Sequence, residues 1–368
     1  VNERLTVCDL FSGSGAMSLA AEHAGLDVVC HCEIDKFPRA VLQYRFPKIP
    51  LHDDVKTLTK EKFYELTGRE TVDIVAGGSP CQDLSVAGKQ RGLDGARSGL
   101  FFEQMRVARE LNARYIIWEN VPGALSSNGG ADFAAIISEF TGWSRNAYSD
   151  YKFGNAGVFK GRTESDYSVC YRILDTRFFG IPQRRRRIYL VASLGTKCRP
   201  EILFERNGVR GNFAKSCAQG QDVAAFAESG AIYCDKTAKT LPAHGQRLNA
   251  DENFVVYENH MQDSRIKEVG CAPTLSAKAG TGGGNLPIVL HATQDPICSD
   301  IRRLTPKECE RLQGMPDDWT KIPYRGKPAE KCPDSPRYKA MGNGVTKHVA
   351  QWVFEGVLED FKEERKAI

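Results

Sequence analysis

The strongest constraint on this chain is an alternation. Short apolar runs at residues 5–10, 27–32, 72–76 and 115–119 are each followed by turn residues and then by an amphipathic helical stretch. Runs of that length bounded by turns read as buried strands. Their alternation with helices predicts a parallel α/β sheet covered on both faces. A further strand-like run at 188–193 closes the region. Ligands of open α/β sheets gather at the carboxyl ends of the strands, so the residues just past each run are the first place to look for chemistry.

The pattern changes near Gly195. Residues 196–300 are rich in Gly, Asn, Ala and Thr, with short strand-like runs and no long helix. Two stretches there resemble each other. Lys239-Thr240-Leu241-Pro242-Ala243 leads to a run at 253–256, and Pro273-Thr274-Leu275-Ser276-Ala277 leads to another at 285–289. The loop Gly280-Thr281-Gly282-Gly283-Gly284 is open enough to approach a partner's backbone closely. A decorated β-hairpin and a pair of recognition loops both fit. After residue 300 a helical pattern returns. Thr305-Pro306-Lys307-Glu308 carries a capping box with Pro in the first helical position, Gly314 and Pro316 end that helix, and residues 347–363 predict a terminal amphipathic helix. The expected organisation is an α/β domain over 1–195, a smaller β- and loop-rich domain over 196–300, and a segment over 301–368 that returns to the first domain.

A chain of 368 residues suggests two or three domains, and 41% hydrophobic with 26% charged residues describes an ordinary globular protein. No apolar run approaches the roughly 18 residues a membrane span requires. No basic leader precedes an apolar stretch, so a cytoplasmic location is expected. The net charge of +4 permits a nucleic-acid partner without arguing for one, although Arg184 to Arg187 form an unbroken basic block. The twelve cysteines lack the paired spacing of a zinc site, so no metal is expected and most should be reduced and buried.

The first run ends in Asp9-Leu10-Phe11-Ser12-Gly13-Ser14-Gly15-Ala16, a strand-to-helix turn in which two glycines either let a ligand touch the backbone or serve a purely structural tight turn. The third glycine of the dinucleotide fingerprint is absent, since position 18 is Ser. Glu33, just past the second run, can accept from ribose hydroxyls, and Asp54 can bind an adenine amino group. Each acid alone also fits a solvated surface residue; with the glycines they suggest a nucleoside cofactor. Gly77-Gly78-Ser79-Pro80-Cys81-Gln82 follows the third of these runs. A cysteine after proline in such a turn is held outward, and exposure near a cation raises its thiolate fraction. Glu119, in Trp118-Glu119-Asn120-Val121-Pro122, should project into the same crevice, as a proton-sharing group or as a cap on the following turn. Along the basic block Arg185 and Arg187 should face one way, Arg184 and Arg186 the other.

These motifs, in this order, resemble the cytosine-C5 DNA methyltransferase family, and the resemblance spans essentially the whole chain. It continues through Arg303-Leu304-Thr305-Pro306, Glu308-Cys309, Arg311-Leu312-Gln313-Gly314 and Met341-Gly342-Asn343-Gly344-Val345. The fold it implies is a Rossmann-like S-adenosylmethionine-dependent methyltransferase domain with a target recognition domain inserted before the C-terminal segment. The activity it implies is methylation of carbon 5 of a flipped-out cytosine in a short duplex sequence, through a covalent bond from Cys81 to carbon 6. Glu119 would engage ring nitrogen 3, Arg187 the cytosine carbonyl, and Arg185 would support the nucleophile loop. Phe11, Gly13, Gly15, Glu33, Ile34, Asp54, Val55, Pro80, Leu100, Asn343 and Val345 would hold S-adenosylmethionine. Residues 82–100 resemble a mobile loop closing over the base. Gln82, Ser85, Gly88, Arg97, Thr240, Thr274, Leu275, Gly282 and Gly283 would contact DNA. The resemblance implies a monomeric bacterial or phage enzyme, sometimes accompanied by a separate restriction endonuclease. Three features depart from the family pattern: Ile34 replaces a common aromatic, Ala16 replaces a common glycine, and residues 150–166 have no assigned role. Two alternatives are a tRNA cytosine methyltransferase, whose Cys-Phe-Thr signature is absent, and a silent DNA-binding relative, which would have lost Cys81, Glu119 or Arg187.

Overall fold

The computed structural model describes residues 4–80, 99–204, 254–260, 265–268, 272, 274–275, 288–292 and 299–367. They fall into two compact units. The first comprises Val1–Leu174, Arg186–Arg206 and Ala350–Ile368, the second Asp175–Arg185 and Asn207–Val349.

The first unit is built on an eight-stranded sheet. In chain order its strands are β1 (Thr6–Leu10), β2 (Asp27–Cys32), β3 (Leu51–His52), β4 (Ile74–Gly77), β5 (Tyr115–Asn120), β6 (Ala156–Phe159), β7 (Tyr167–Asp175) and β8 (Arg186–Leu194). Across the sheet they run β3-β2-β1-β4-β5-β8-β7-β6. Strands β1, β4 and β5 are buried along their whole length, as a central sheet with both faces covered demands. The covering helices are α1 (Ala16–His23), α2 (Lys36–Arg45), α3 (Lys60–Thr67), α4 (Leu100–Glu110) and α5 (Ala131–Thr141). From β1 the chain builds outward to β2 and β3 on one side and to β4 and β5 on the other, so a topological switch point lies between β1 and β4. Register aligns Leu10 with both Cys32 and Gly77, and Gly77 with Trp118, which brings four carboxyl ends together there.

The expectation of an all-parallel sheet needs correction. β8 pairs antiparallel to β5, and β6 antiparallel to β7. The links from β6 to β7 and from β7 to β8 are short and carry no crossover α-helix, which parallel pairing would require. The previously unassigned segment at 150–166 supplies β6, the outermost strand. Phe159 stacks on Tyr171 at 6.1 Å, and Phe153 meets Phe133 edge-on at 4.9 Å. The segment therefore closes the sheet edge with aromatic packing.

The second unit holds a four-stranded sheet of β9 (Phe254–His260), β10 (Arg265–Glu268), β11 (Ile288–Ala292) and β12 (Ser299–Arg303), ordered β10-β9-β11-β12 with antiparallel pairing throughout. The later strands of the two look-alike stretches pair with each other, Tyr257 opposite Ile288. The earlier stretch at 239–243 lies outside the described residues. Helix α6 (Pro306–Leu312) starts at the capping box read from sequence, with Thr305 Oγ1 accepting from the Glu308 amide and the Glu308 carboxylate accepting from the Thr305 amide. With α7 (Asp334–Asn343) it belongs to the second unit. The boundary placed at residue 301 is thus revised: only the last helix, α8 (Lys347–Ala367), rejoins the first unit, from Ala350 onward. Its anchor there is physical. Val353, Phe354 and Val357 are fully buried, and Asp360 accepts from the Tyr115 hydroxyl at 2.8 Å and pairs with Arg199 at 3.1 Å. Among the described residues no helix is long and apolar enough to cross a membrane.

Candidate active site

The turn after β1 is tightly constructed. Phe11 has φ 55, a conformation that costs a bulky residue energy, and Gly13 and Gly15 have φ 53 and 87. A Cβ on Gly15 would lie 2.6 Å from the Phe46 ring. Ser12 holds the turn to both strands, its hydroxyl donating to Asp9 O at 2.6 Å and its amide to Cys32 O at 3.1 Å. Glu33 sits where β2 ends. One carboxylate oxygen accepts from the Gly13 amide at 2.8 Å and the other from Asp35 N at 2.7 Å. Burial pushes this carboxyl up, and the two amide bonds oppose the shift.

Beyond Glu33 the surface opens into a groove of about 530 Å³ lined by Ile34, Lys36, Arg39, Asp53 and Asp54. Ile34 is 71% exposed, an unusual state for a branched apolar side chain and a flat contact for a planar ring. Asp54 caps the turn at Val55–Thr57, accepting from Lys56 N at 3.0 Å, and Val55 is buried beneath it. Acceptor carboxylates, an exposed apolar face and a glycine turn at one sheet edge are a donor set suited to an adenosyl group.

The second part of the site is the turn after β4. Trp118 Nε1 donates to Ser79 Oγ at 2.9 Å, and the Asn120 side chain donates to Ser79 O at 2.9 Å. Both ends of Ser79 are thereby fixed to β5, so Pro80, the last described residue before Cys81, leaves the sheet in a set direction. Glu119 is 8% exposed, with Oε1 3.2 Å from Arg187 Nε on the neighbouring strand β8. A Cβ on Gly78 would lie 2.9 Å from Glu119 Oε2, so only glycine lets this carboxyl rest against the turn. Leu100 opens α4 and is half-buried.

The other expected residues are placed as follows. Arg184 and Arg186 are exposed while Arg185 is 2% exposed and Arg187 half-buried, the alternation read from sequence. Arg185 belongs to the second unit, where its guanidinium donates to Gly344 O at 2.6 Å, Gly342 O at 3.4 Å and Leu275 O at 3.3 Å. It thus holds the Gly342-Asn343-Gly344 segment, in which Asn343 is exposed and the following Val345 half-buried. Leu275 is 2% exposed, so its expected DNA contact is revised: its side chain is part of the packing. Thr274 spends its hydroxyl on Arg184 O at 2.7 Å. Cys81, Gln82, Ser85, Gly88, Arg97, Thr240, Gly282 and Gly283 lie outside the described residues. Sequence reasoning missed the anchoring roles of Gly78, Ser79, Trp118 and Asn120; their only signal was adjacency to the cysteine and the glutamate.

A family model for C-5 cytosine-specific DNA methylases matches residues 5–149 and 158–359, and the chain belongs to that family. It is 27% identical to the DNA N-6-adenine-methyltransferase of Escherichia phage P1, over 95% of this chain and 60% of that protein, so it spans well under two thirds of that relative's length. It is 32% identical to the type II methyltransferase M.Eco47II of Escherichia coli, over 97% of this chain and 79% of that protein. The crystal structure of S. pombe Dnmt2 methyltransferase superposes with a TM-score of 0.59 at 19% identity, covering 97% of this chain and 99% of that one, which shows a shared fold.

Proposed function

We propose that this protein methylates carbon 5 of a cytosine flipped out of duplex DNA, with Cys81 as nucleophile and S-adenosylmethionine as donor. The observation that carries this reading is the Glu119 carboxylate, paired with Arg187 at 3.2 Å and resting against the Gly78 turn that leads into Cys81. A carboxyl and a guanidinium fixed side by side match the ring nitrogen 3 and carbonyl edge of cytosine.

Carbon 5 of cytosine is a poor nucleophile. The Cys81 thiolate would add to carbon 6, forming an S–C bond and pushing the 5,6 π pair toward carbon 5. Glu119 would share a proton with nitrogen 3, and Arg187 would bond the carbonyl oxygen, so charge delocalised over the ring is stabilised. Carbon 5 then forms its bond to the methyl group. A base takes the carbon 5 proton, the 5,6 double bond re-forms and the thiolate leaves. S-adenosylmethionine would supply the electrophilic methyl, its methyl–sulfur bond breaking with the electron pair kept on sulfur to leave S-adenosylhomocysteine. Phe11, Gly13, Gly15, Glu33, Ile34, Asp54 and Val55 would hold it, with Pro80, Leu100, Asn343 and Val345 as further contacts. Glu33 would accept from the ribose hydroxyls and Ile34 would cover the adenine. Arg185 is assigned to support of the nucleophile loop. Gln82, Ser85, Gly88, Arg97, Thr240, Gly282 and Gly283 are assigned to DNA, with Thr274 beside them. A monomer acting in the cytoplasm of a bacterial or phage-infected cell fits this role.

Transfer of labelled methyl groups to duplex DNA, followed by nucleoside analysis, tests the reading. 5-Methylcytosine from the wild type and none from Cys81→Ala are expected. N6-methyladenine as product, or methylation of tRNA alone, would overturn the substrate; undiminished transfer by Cys81→Ala would overturn the nucleophile.

A further inference from the structure

Ser18 occupies the position where the dinucleotide fingerprint has its third glycine, and the structure gives it a role that glycine could not fill. Its hydroxyl lies 2.5 Å from Asp9 Oδ2 on β1 and 2.8 Å from His31 Nε2 on β2. All three side chains are buried, with at most 1% exposed. A hydroxyl carries one proton. With that proton on Asp9, His31 must donate from Nε2 to Ser18, which makes the order His31, Ser18, Asp9. His31 Nδ1 is then an unprotonated acceptor, consistent with its having no hydrogen-bond partner among the described residues. The Ser18 amide also bonds Asp9, placing a carboxylate on the open N–H groups of the first turn of α1.

The two strand residues that grip Ser18 each stand two positions before a residue of the cofactor crevice. Asp9 precedes Phe11, and His31 precedes Glu33. Asp9 also receives the Ser12 hydroxyl on its carbonyl at 2.6 Å, so the strained turn begins at the same residue that anchors the helix. We propose that Asp9, Ser18 and His31 form a buried tie which sets the spacing between the Phe11–Gly15 turn and Glu33, and so preorganises the site for the adenosyl group. Glycine at this position would only permit close helix–sheet packing; serine fastens the helix to both strands. The three are positioning residues and touch no ligand. The inference rests on the cofactor reading above.

The groups facing the tie are few. Glu33 lies near Asp9 and raises its pKa; Asp9 is pushed up to about 7, mainly by burial, with the Ser18 bonds opposing. Burial holds His31 down at about 4, so it is neutral above pH 5.5 or so. The free thiols Cys8, Cys30 and Cys32 on the same strands are buried, and burial among the adjacent thiols keeps Cys8 and Cys32 protonated. Between pH 6 and 8.5 Asp9 is therefore the member of the tie that titrates.

The test is equilibrium binding of S-adenosylhomocysteine to the full chain across that pH range, with unfolding measured in parallel. Wild type should bind more tightly as pH rises through about 7, when Asp9 ionises and accepts both Ser18 bonds. Ser18→Ala keeps the amide bond to Asp9 but loses the hydroxyl bond, so it should bind about tenfold more weakly at pH 8 with its pH dependence shifted upward. His31→Gln, which keeps a donor of similar reach, should stay within about threefold of wild type and keep the pH dependence. Ser18→Ala binding as wild type does, even with lowered stability, would overturn the tie and leave the cofactor reading intact. No binding by folded wild type would overturn both.

Discussion

Gly78→Ala is a sharp probe of the site because the structure states what the added methyl would meet. The new Cβ would stand 2.9 Å from Glu119 Oε2 and 3.3 Å from the Glu119 carbonyl oxygen. The first contact is too close for real atoms, but its partner is the end of a side chain that can swing away. The second asks the backbone for a few tenths of an ångström. The stability cost should therefore fall near the low end of overpacking, about 1 kcal/mol. Activity should suffer more, because the swing moves the carboxyl away from its position beside Arg187, 3.2 Å distant. A misplacement of about 1 Å at a reacting group can cost on the order of 100-fold in rate, so a fall in kcat of about 10- to 100-fold is expected, with the KM for DNA within about threefold. Urea denaturation and methyl-transfer kinetics on the same preparation separate the two effects. A folded variant that transfers at the wild-type rate would refute the claim that Glu119 must sit where it does.

Three further outcomes follow from the same contacts. Gly15→Ala places a Cβ 2.6 Å from the Phe46 ring at φ 87, and should destabilise by about 2 kcal/mol in chemical denaturation. Tyr115→Phe removes the 2.8 Å bond to Asp360 and leaves that carboxylate with Arg199, which should cost about 1 kcal/mol and be read by the same method. His31, held at about 4 by burial, binds fewer protons folded than unfolded between its ordinary value and pH 4, so it makes stability rise with pH over that window. His31→Gln should flatten that contribution in thermal melts from pH 4 to 7. Asp9, raised to about 7, contributes with the opposite sign over the same interval and remains in the variant.

The parallel half of the sheet was legible because its strands are buried on both faces and read as unbroken apolar runs; β2 falls on the residues predicted, and β1, β4 and β5 within a residue or two. Directionality was not legible. Tyr115–Asn120 and Arg186–Leu194 look alike as strings, and only the connections between later strands decide that β8 runs against β5. The edge strand Ala156–Phe159 escaped notice because its half-exposed residues alternate weakly, and what identifies it is its pairing with β7 and the packing of Phe159 on Tyr171. The unit boundary was misplaced since capping and periodicity find helices such as Pro306–Leu312 without saying which core buries them.

Within the site, residue types were legible and partners were not. Glu119 and Arg187 were recognised by motif order, but their ion pair depends on β5 and β8 being neighbours. Leu275 was misread because a motif position carries no sign of burial. Ser18 looked like a missing glycine; the acceptor and donor that give it a purpose sit on two strands that become its neighbours only when the sheet forms.

The central claim is covalent attack by Cys81 on carbon 6 of cytosine. Duplex DNA carrying 5-fluorocytosine tests it directly, because fluorine at carbon 5 cannot leave as a proton does and the S–C bond persists after methyl transfer. Incubation of the protein with such DNA and S-adenosylmethionine should give a denaturation-resistant complex, with the adduct mapped to Cys81 by mass spectrometry and absent from Cys81→Ala. Methylation of ordinary DNA without any trapped complex on the fluorinated duplex, or an adduct at another residue, would contradict the account.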